Sequence, residues 1–229
     1  MNQVFVLLLG GEGKRLEKAL GVRKQFYAPR GKELFLYPYE TAKKSGLFDS
    51  YVFVASEEDF GHVRSLIPEA DPVELAPAGA SRNDSVRSAL KRIEEKGGAK
   101  TVYIHDADRV FLSLSLLRRI DEALRKAEAV TPVLPVKDSL LRKEDGVLTY
   151  PGREGLYQVQ TPQAFDFETI DGLYRQGFRE TDTDDFSKAL RAGKKVALVE
   201  GESLDFKLTD PSDLSLLSAL LPNPGSADR

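Results

Sequence analysis

Between Gly10 and Lys32 the chain carries seven bases, Lys14, Arg15, Lys18, Arg23, Lys24, Arg30 and Lys32, against two acids, Glu12 and Glu17. The segment begins at the end of an apolar run and includes Gly10, Gly11 and Gly13. Glycine lets backbone N–H groups approach an oxyanion closely. An arginine can hold phosphate oxygens with two parallel bonds, and a lysine supplies a compact point charge. Arg15 and Lys24 beside a glycine turn therefore suit a polyphosphate. Neither common phosphate loop accounts for the pattern. A P-loop needs G-x-x-x-x-G-K and then Ser or Thr; here Gly13-Lys14 is followed by Arg15, and its first glycine position holds Leu8. The dinucleotide fingerprint G-x-G-x-x-G finds Gly11 and Gly13, but Leu16 in third place. What remains is G-x-G-x-R, followed nine residues later by Lys24-Gln25.

The elements that must position these groups follow from apolar spacing. Val4–Leu9, Val52–Val54, Thr101–Ile104 and Val196–Val199 read as buried strands. Asp59–Leu66, Ser85–Glu95 and Leu114–Ala127 have helical spacing. The alternation implies an α/β fold, a Rossmann-like, mostly parallel sheet flanked by helices. Ligands of such sheets bind beyond the carboxyl ends of the strands. That singles out Gly10–Lys14, Ala55–Ser56 and His105–Arg109. Ser85 is expected to cap the helix it opens. Asp184-Asp185 suits a helix N-terminus, where the dipole favours acids. Asp210-Pro211 has the N-cap and first-turn residues of a helix continuing through Leu214–Leu221. Residues 138–158 break the rhythm: they are polar and contain Asp145-Gly146, a hairpin-turn pair. They are expected to form a protruding β-arm. His62 is expected on a helix surface, and Thr161-Pro162-Gln163 as structural support.

A chain of 229 residues fits one α/β domain, expected over 1–221, with 222–229 as a flexible tail. A net charge of −3 argues against a nucleic-acid surface. No apolar stretch reaches the length of a membrane helix. The absence of cysteine removes disulfides, thiolate metal sites and thiol nucleophiles, and makes a cytoplasmic location the expectation.

A series of short motifs, in order from residue 7 to 214, resembles the sugar-nucleotidyltransferase fold, and within it the 2-C-methyl-D-erythritol 4-phosphate cytidylyltransferase family. The family's A-A-G-x-G-x-R-M and P-K-Q are matched by Gly11, Gly13, Arg15, Lys24 and Gln25. Its G-x-x-R-x-x-S-V is matched by Gly79, Arg82, Ser85 and Val86, and its H-D-A-A-R-P by His105, Asp106, Ala107 and Arg109. "DSLL" from Asp138, "REGLYQVQTPQ" from Arg153 and Thr183-Asp184-Asp185 continue the series. "KLTDPSDL" from Lys207 closes it. The chain departs from the pattern with Gly10 for Ala, Leu16 for Met, Arg23 for Pro, Asp108 for Ala and Val110 for Pro. Asp108 is expected to pair with Arg109 or to point away from an anionic substrate.

The resemblance implies transfer of CMP from CTP to 2-C-methyl-D-erythritol 4-phosphate, with Mg²⁺ bound mainly through the CTP phosphates. No residue is assigned as a metal ligand. Arg15, Lys24 and Lys207 are the implied catalytic cations. Lys207, between Phe206 and Leu208, would meet the phosphate of the second substrate. Gly10, Gly11, Gly13, Gly79, Arg82, Ser85 and Asp106 would bind nucleotide. Asp106, Arg109, Ser139 and Arg153 would bind the polyol phosphate, the last two reaching across a homodimer from the arm. Ribitol-5-phosphate cytidylyltransferase, a nicotinamide-dependent oxidoreductase and a catalytically silent nucleotide sensor are the alternative readings.

Overall fold

The computed structural model describes residues 1–11, 14–177, 179, 182 and 184–221, with the backbone alone for Lys14 and Arg15. Gly13, Thr183, the Arg15 side chain and the expected tail 222–229 lie outside the described residues.

The first half of the chain forms β1 (Gln3–Leu8), α1 (Lys14–Leu20), α2 (Leu36–Ser45), β2 (Ser50–Ala55), α3 (Phe60–Ser65), β3 (Val73–Pro77), α4 (Arg82–Glu95) and β4 (Thr101–Asp106). There follow α5 (Leu114–Leu124), β5 (Ala129–Pro135), β6 (Arg142–Glu144), β7 (Val147–Thr149), β8 (Tyr157–Val159) and β9 (Gln163–Asp166). The chain then forms α6 (Phe167–Arg175), α7 (Asp185–Arg191), β10 (Val196–Glu200) and α8 (Asp213–Leu220). The main sheet runs β10-β5-β9-β4-β1-β2-β3, with β8 added beside β5. The β1, β2, β3 and β4 pairings are parallel, as is β5 with β10. β9 runs antiparallel between β4 and β5.

β1 is a continuous apolar run because both its faces are covered. Its alternate residues divide between two cores. Phe5 and Leu7 pack with Tyr39, Phe53, Tyr103 and Ile120 on the α2 and α5 side. Val4 and Val6 pack with Val86, Leu90, Ile93 and Ile170 on the α4 and α6 side. α4 shows why its pattern reads as a helix: Val86, Ala89, Leu90 and Ile93 recur at i, i+3, i+4 and i+7 and are buried.

Two expected helix starts are corrected. Ser81, not Ser85, caps α4, accepting from the Asp84 N–H at 3.1 Å. Ser85 lies one turn inside the helix, because the tight packing of Gly79 on Asp84 fixes the turn earlier in the chain. Asp210-Pro211 forms a turn ahead of α8. The carboxylate that gathers N–H groups there is Asp213, which accepts from Thr209 and Asp210 at 2.7 and 2.9 Å. Residues 138–158 are exposed throughout. β6 and β7 form a hairpin across Asp145 and Gly146, whose φ values of 48° and 83° are those of a tight hairpin turn.

Candidate functional site

The sheet reverses its winding beside β1: β2 and β3 lie to one side and β4 to the other. Leu8 at the end of β1 stands opposite Asp106 at the end of β4. A cleft of about 650 Å³ opens over these carboxyl ends, where open α/β sheets place their ligands. Gly10 and Gly11 enter it from β1, Ser56 from β2, Gly79–Arg82 from the β3–α4 turn, and Asp106 and Asp108 from β4. Lys207 reaches it from the segment before α8.

The loops are held by close contact. A Cβ on Gly10 would stand 2.5 Å from the Ala78 Cβ, and one on Gly79 would stand 2.2 Å from the Asp84 Cβ. Neither turn has room for a side chain. Ser85 Oγ accepts from the Gly79 N–H at 3.1 Å and donates to the Ser81 carbonyl at 3.0 Å, which closes the second turn. The Gln25 amide donates to the Leu9 carbonyl at 2.6 Å and ties the basic segment to the end of β1.

Charges in the cleft form a chain. Asp106 Oδ1 receives Arg82 Nε at 3.2 Å, and Oδ2 receives Lys207 Nζ at 2.8 Å. Arg82 also donates to Asp185 at 2.7 Å, beneath α7. Burial alone would raise the Asp106 pKa, but Arg82 and Lys207 outweigh it and hold the carboxyl well below the usual range. Burial likewise opposes the charge on Lys207, and Asp106 and Asp108 more than restore it. Lys24 is paired with Asp108 and donates to the Leu208 carbonyl at 3.0 Å.

The loop after β4 is positioned by a fully buried histidine. His105 Nε2 donates to the Arg109 carbonyl at 3.0 Å, so its Nδ1 is the acceptor, from the Thr161 hydroxyl at 3.0 Å. Thr161 Oγ1 in turn accepts from the Asp106 N–H at 3.2 Å. Burial pulls the His105 pKa down to about 4, so the ring is neutral at physiological pH. Thr161 and Gln163 are structural in this sense. Gln163 accepts from the N–H groups of Asp185 and Phe186 at 3.0 and 2.9 Å.

The sequence matches the profile described as IspD, 2-C-methyl-D-erythritol 4-phosphate cytidylyltransferase, over residues 4–223. The chain belongs to this family. It is similar to the enzyme of that name from Thermotoga neapolitana, with 36% identity over 216 residues covering 93% of this chain and 94% of that one. It is 32% identical to the bifunctional enzyme IspD/IspF of Pelagibacter ubique and spans 56% of that protein's length. Among solved structures, the family member from Thermus thermophilus superposes with a TM-score of 0.74 at 29% identity, covering 94% of this chain and 96% of that one.

The family positions do not all converge. Gly10, Gly11, Gly79, Arg82, Ser85, Asp106 and Lys207 line the cleft. Lys24 is buried beneath it. Arg109 turns its guanidinium to the Asp205 carbonyl at 2.7 Å and the Val159 carbonyl at 3.5 Å. Asp108 therefore takes neither expected course: it pairs with Lys24. Arg23, in the family's proline position, pairs with Glu58 and Asp59. Ser139 and Arg153 sit on the exposed segment 138–158 and are not among the residues lining the cleft. His62 is on α3 as expected, bonded to Glu33 at 2.7 Å.

The partners of two acids escape sequence reasoning. Asp184 caps α7, accepting from Ser187 at 2.8 Å, but its neighbour Asp185 points inward to anchor Arg82. Asp205 is fully buried close to Arg109. Only the fold brings either acid to its partner, and no local spacing signals it.

Proposed function

We propose that the cleft transfers the CMP group of CTP to 2-C-methyl-D-erythritol 4-phosphate, releasing pyrophosphate, in the non-mevalonate synthesis of isoprenoid precursors. The observation that carries this reading is the Lys207–Asp106–Arg82 array at the β1/β4 reversal, in a chain that matches the family over residues 4–223. The nucleophile is an oxygen of the acceptor phosphate. A phosphate monoester has its second pKa near about 6, so the attacking oxygen is already unprotonated. The bond formed joins it to the α-phosphorus, and the bond broken releases pyrophosphate. No general base is required. His105, fully buried and engaged through both ring nitrogens, is a positioning group.

The chain's task is electrostatic. Lys207 meets incoming phosphate oxygens, and Asp106 fixes its ammonium while retaining lone pairs for substrate hydroxyls. Arg82, tied to Asp185, holds Asp106 in turn. Arg15 and Lys24 are assigned to the triphosphate by family position.

Mg²⁺ fits this cleft in a limited way. Asp106 and Asp108 offer the hard oxygen ligands it prefers. Among the described residues, however, no group of three or more metal-ligating side chains is gathered. The ion would take most of its ligands from phosphate and water and would offset the charge of the joined phosphates.

The arm carries a homodimer contact in this reading. Its exposed Leu141, Val147, Leu148 and Tyr150 support that role, and Ser139 and Arg153 would then serve the partner's acceptor site. No described helix is long and apolar enough to cross a membrane. A cytoplasmic location rests on the cysteine-free composition.

Pyrophosphate release from CTP and methylerythritol phosphate tests the site. Wild type should turn over, and Lys207→Met should lose about 10²–10³ in kcat, the cost of one charge-stabilising donor. Near-normal turnover of Lys207→Met would sink its role.

A further inference from the structure

Asp108 is among the residues that line the cleft and Lys24 is not, although the two side chains are buried alike, 9% and 11% exposed. An ammonium has three donors. Lys24 gives one to Asp108 Oδ2 and another to the Leu208 carbonyl at 3.0 Å. The same Asp108 oxygen lies 4.0 Å from Lys207 Nζ. The pair therefore holds one cation down and touches the field of a second.

The pair leaves one oxygen over: Asp108 Oδ1 is buried and has no partner among the described residues. Most buried polar atoms are hydrogen-bonded, so this one calls for an explanation. The loop does not depend on this side chain. The Asp108 carbonyl accepts from the Leu208 N–H at 3.0 Å, and the Arg109 N–H donates to the Asp106 carbonyl at 3.1 Å. The backbone keeps the loop in place whatever the carboxylate does.

We infer that Asp108 is a positioning residue that competes with the substrate triphosphate for Lys24. The inference rests on reading the cleft as a polyphosphate site. In the empty cleft the Lys24 charge is matched and covered. A polyphosphate reaches it only by drawing the ammonium off Asp108, and this leaves a bare carboxylate in the wall beside the ligand. Bare polyphosphate is thus left facing that carboxylate. A polyphosphate partly neutralised by a divalent cation meets less repulsion. Asp108 accordingly makes the cleft select the cation-bound triphosphate over the free anion.

Calorimetric titration with inorganic pyrophosphate and with CTP tests this, in excess chelator and again in Mg²⁺. The proteins are wild type, Asp108→Asn, Asp108→Ala, Lys24→Gln and the Asp108→Asn/Lys24→Gln double variant, each checked for folding by circular dichroism. Without metal, Asp108→Asn and Asp108→Ala should bind about tenfold more tightly than wild type. In Mg²⁺ the gain should shrink to about threefold or less. It should vanish in the Lys24→Gln background, since it acts through Lys24. Equal or weaker metal-free binding by both Asp108 variants would overturn the inference. So would a gain that persists undiminished without Lys24, which would make it a general field effect. If no protein binds pyrophosphate or CTP, the polyphosphate reading itself falls and takes the inference with it.

Discussion

Asp205 has no exposed surface, and neither of its carboxylate oxygens has a hydrogen-bond partner among the described residues. Burial pushes its pKa up to about 8, against the partial relief of Arg109. In the unfolded chain an aspartate titrates near about 3.9. The native state therefore holds a proton that the unfolded state gives up. Its contribution is full below about pH 4 and is lost as pH rises through about 8. Asp205→Asn keeps the shape and cannot ionise. Melting temperatures should show the variant gaining steadily on wild type between pH 4 and pH 8, at roughly 2–4 °C for each kcal/mol in a domain of this size. A constant difference across that range would show that Asp205 does not titrate as described. At this scale the sequence was informative where chemistry follows a strand directly. Asp106 ends β4, and Lys207 stands out between two apolar neighbours. Asp185 and Asp205 act through partners more than 90 residues away in the chain, Arg82 and Arg109, and no local pattern names either partner.

At the scale of elements, the apolar runs of β1, β2 and β4 were legible because central strands covered on both faces are apolar throughout, and β10 was legible from its apolar run although it is a half-exposed edge strand. β5 was not, because Pro132 sits inside it and proline argues against a strand. The fold tolerates it there, with Pro132 placed opposite Val199 and its carbonyl accepting from Gln160. β9 is four residues long and follows Thr161-Pro162, so its pairing between β4 and β5 is a tertiary result. Ser81 and Ser85 both suit a cap, and only the packing of Gly79 decides between them. The arm hairpin was legible from its turn residues, and its apolar exposure gives it a testable purpose. Val147 and Leu148 are about three-fifths exposed, at 62% and 59%. Leaving both uncovered is unfavourable. Val147→Glu with Leu148→Glu should convert a dimer to a monomer by sedimentation at micromolar concentration, with little change in melting temperature and a large loss of activity. A wild type that is monomeric and undiminished in activity at nanomolar concentration would rule out the contribution of the arm to a neighbouring site.

For the whole molecule, the excess of bases between Gly10 and Lys32 reads as an anion site beside a glycine turn. Among the described residues the fold pairs the cations in and around the cleft with acids: Arg23 with Glu58 and Asp59, Lys24 with Asp108, Lys207 with Asp106, and Arg82 with Asp185. The cleft is an array of paired ions poised over the carboxyl edge of the sheet, and a mildly acidic chain of net charge −3 can carry it. Such an array suits a reaction between two anions that needs no proton removed. The most direct test is pyrophosphate release with each of the four nucleoside triphosphates, in Mg²⁺, against methylerythritol phosphate, ribitol 5-phosphate and a sugar 1-phosphate. Fastest release with CTP and methylerythritol phosphate is predicted. Activity confined to UTP or ATP with the sugar 1-phosphate would contradict the account.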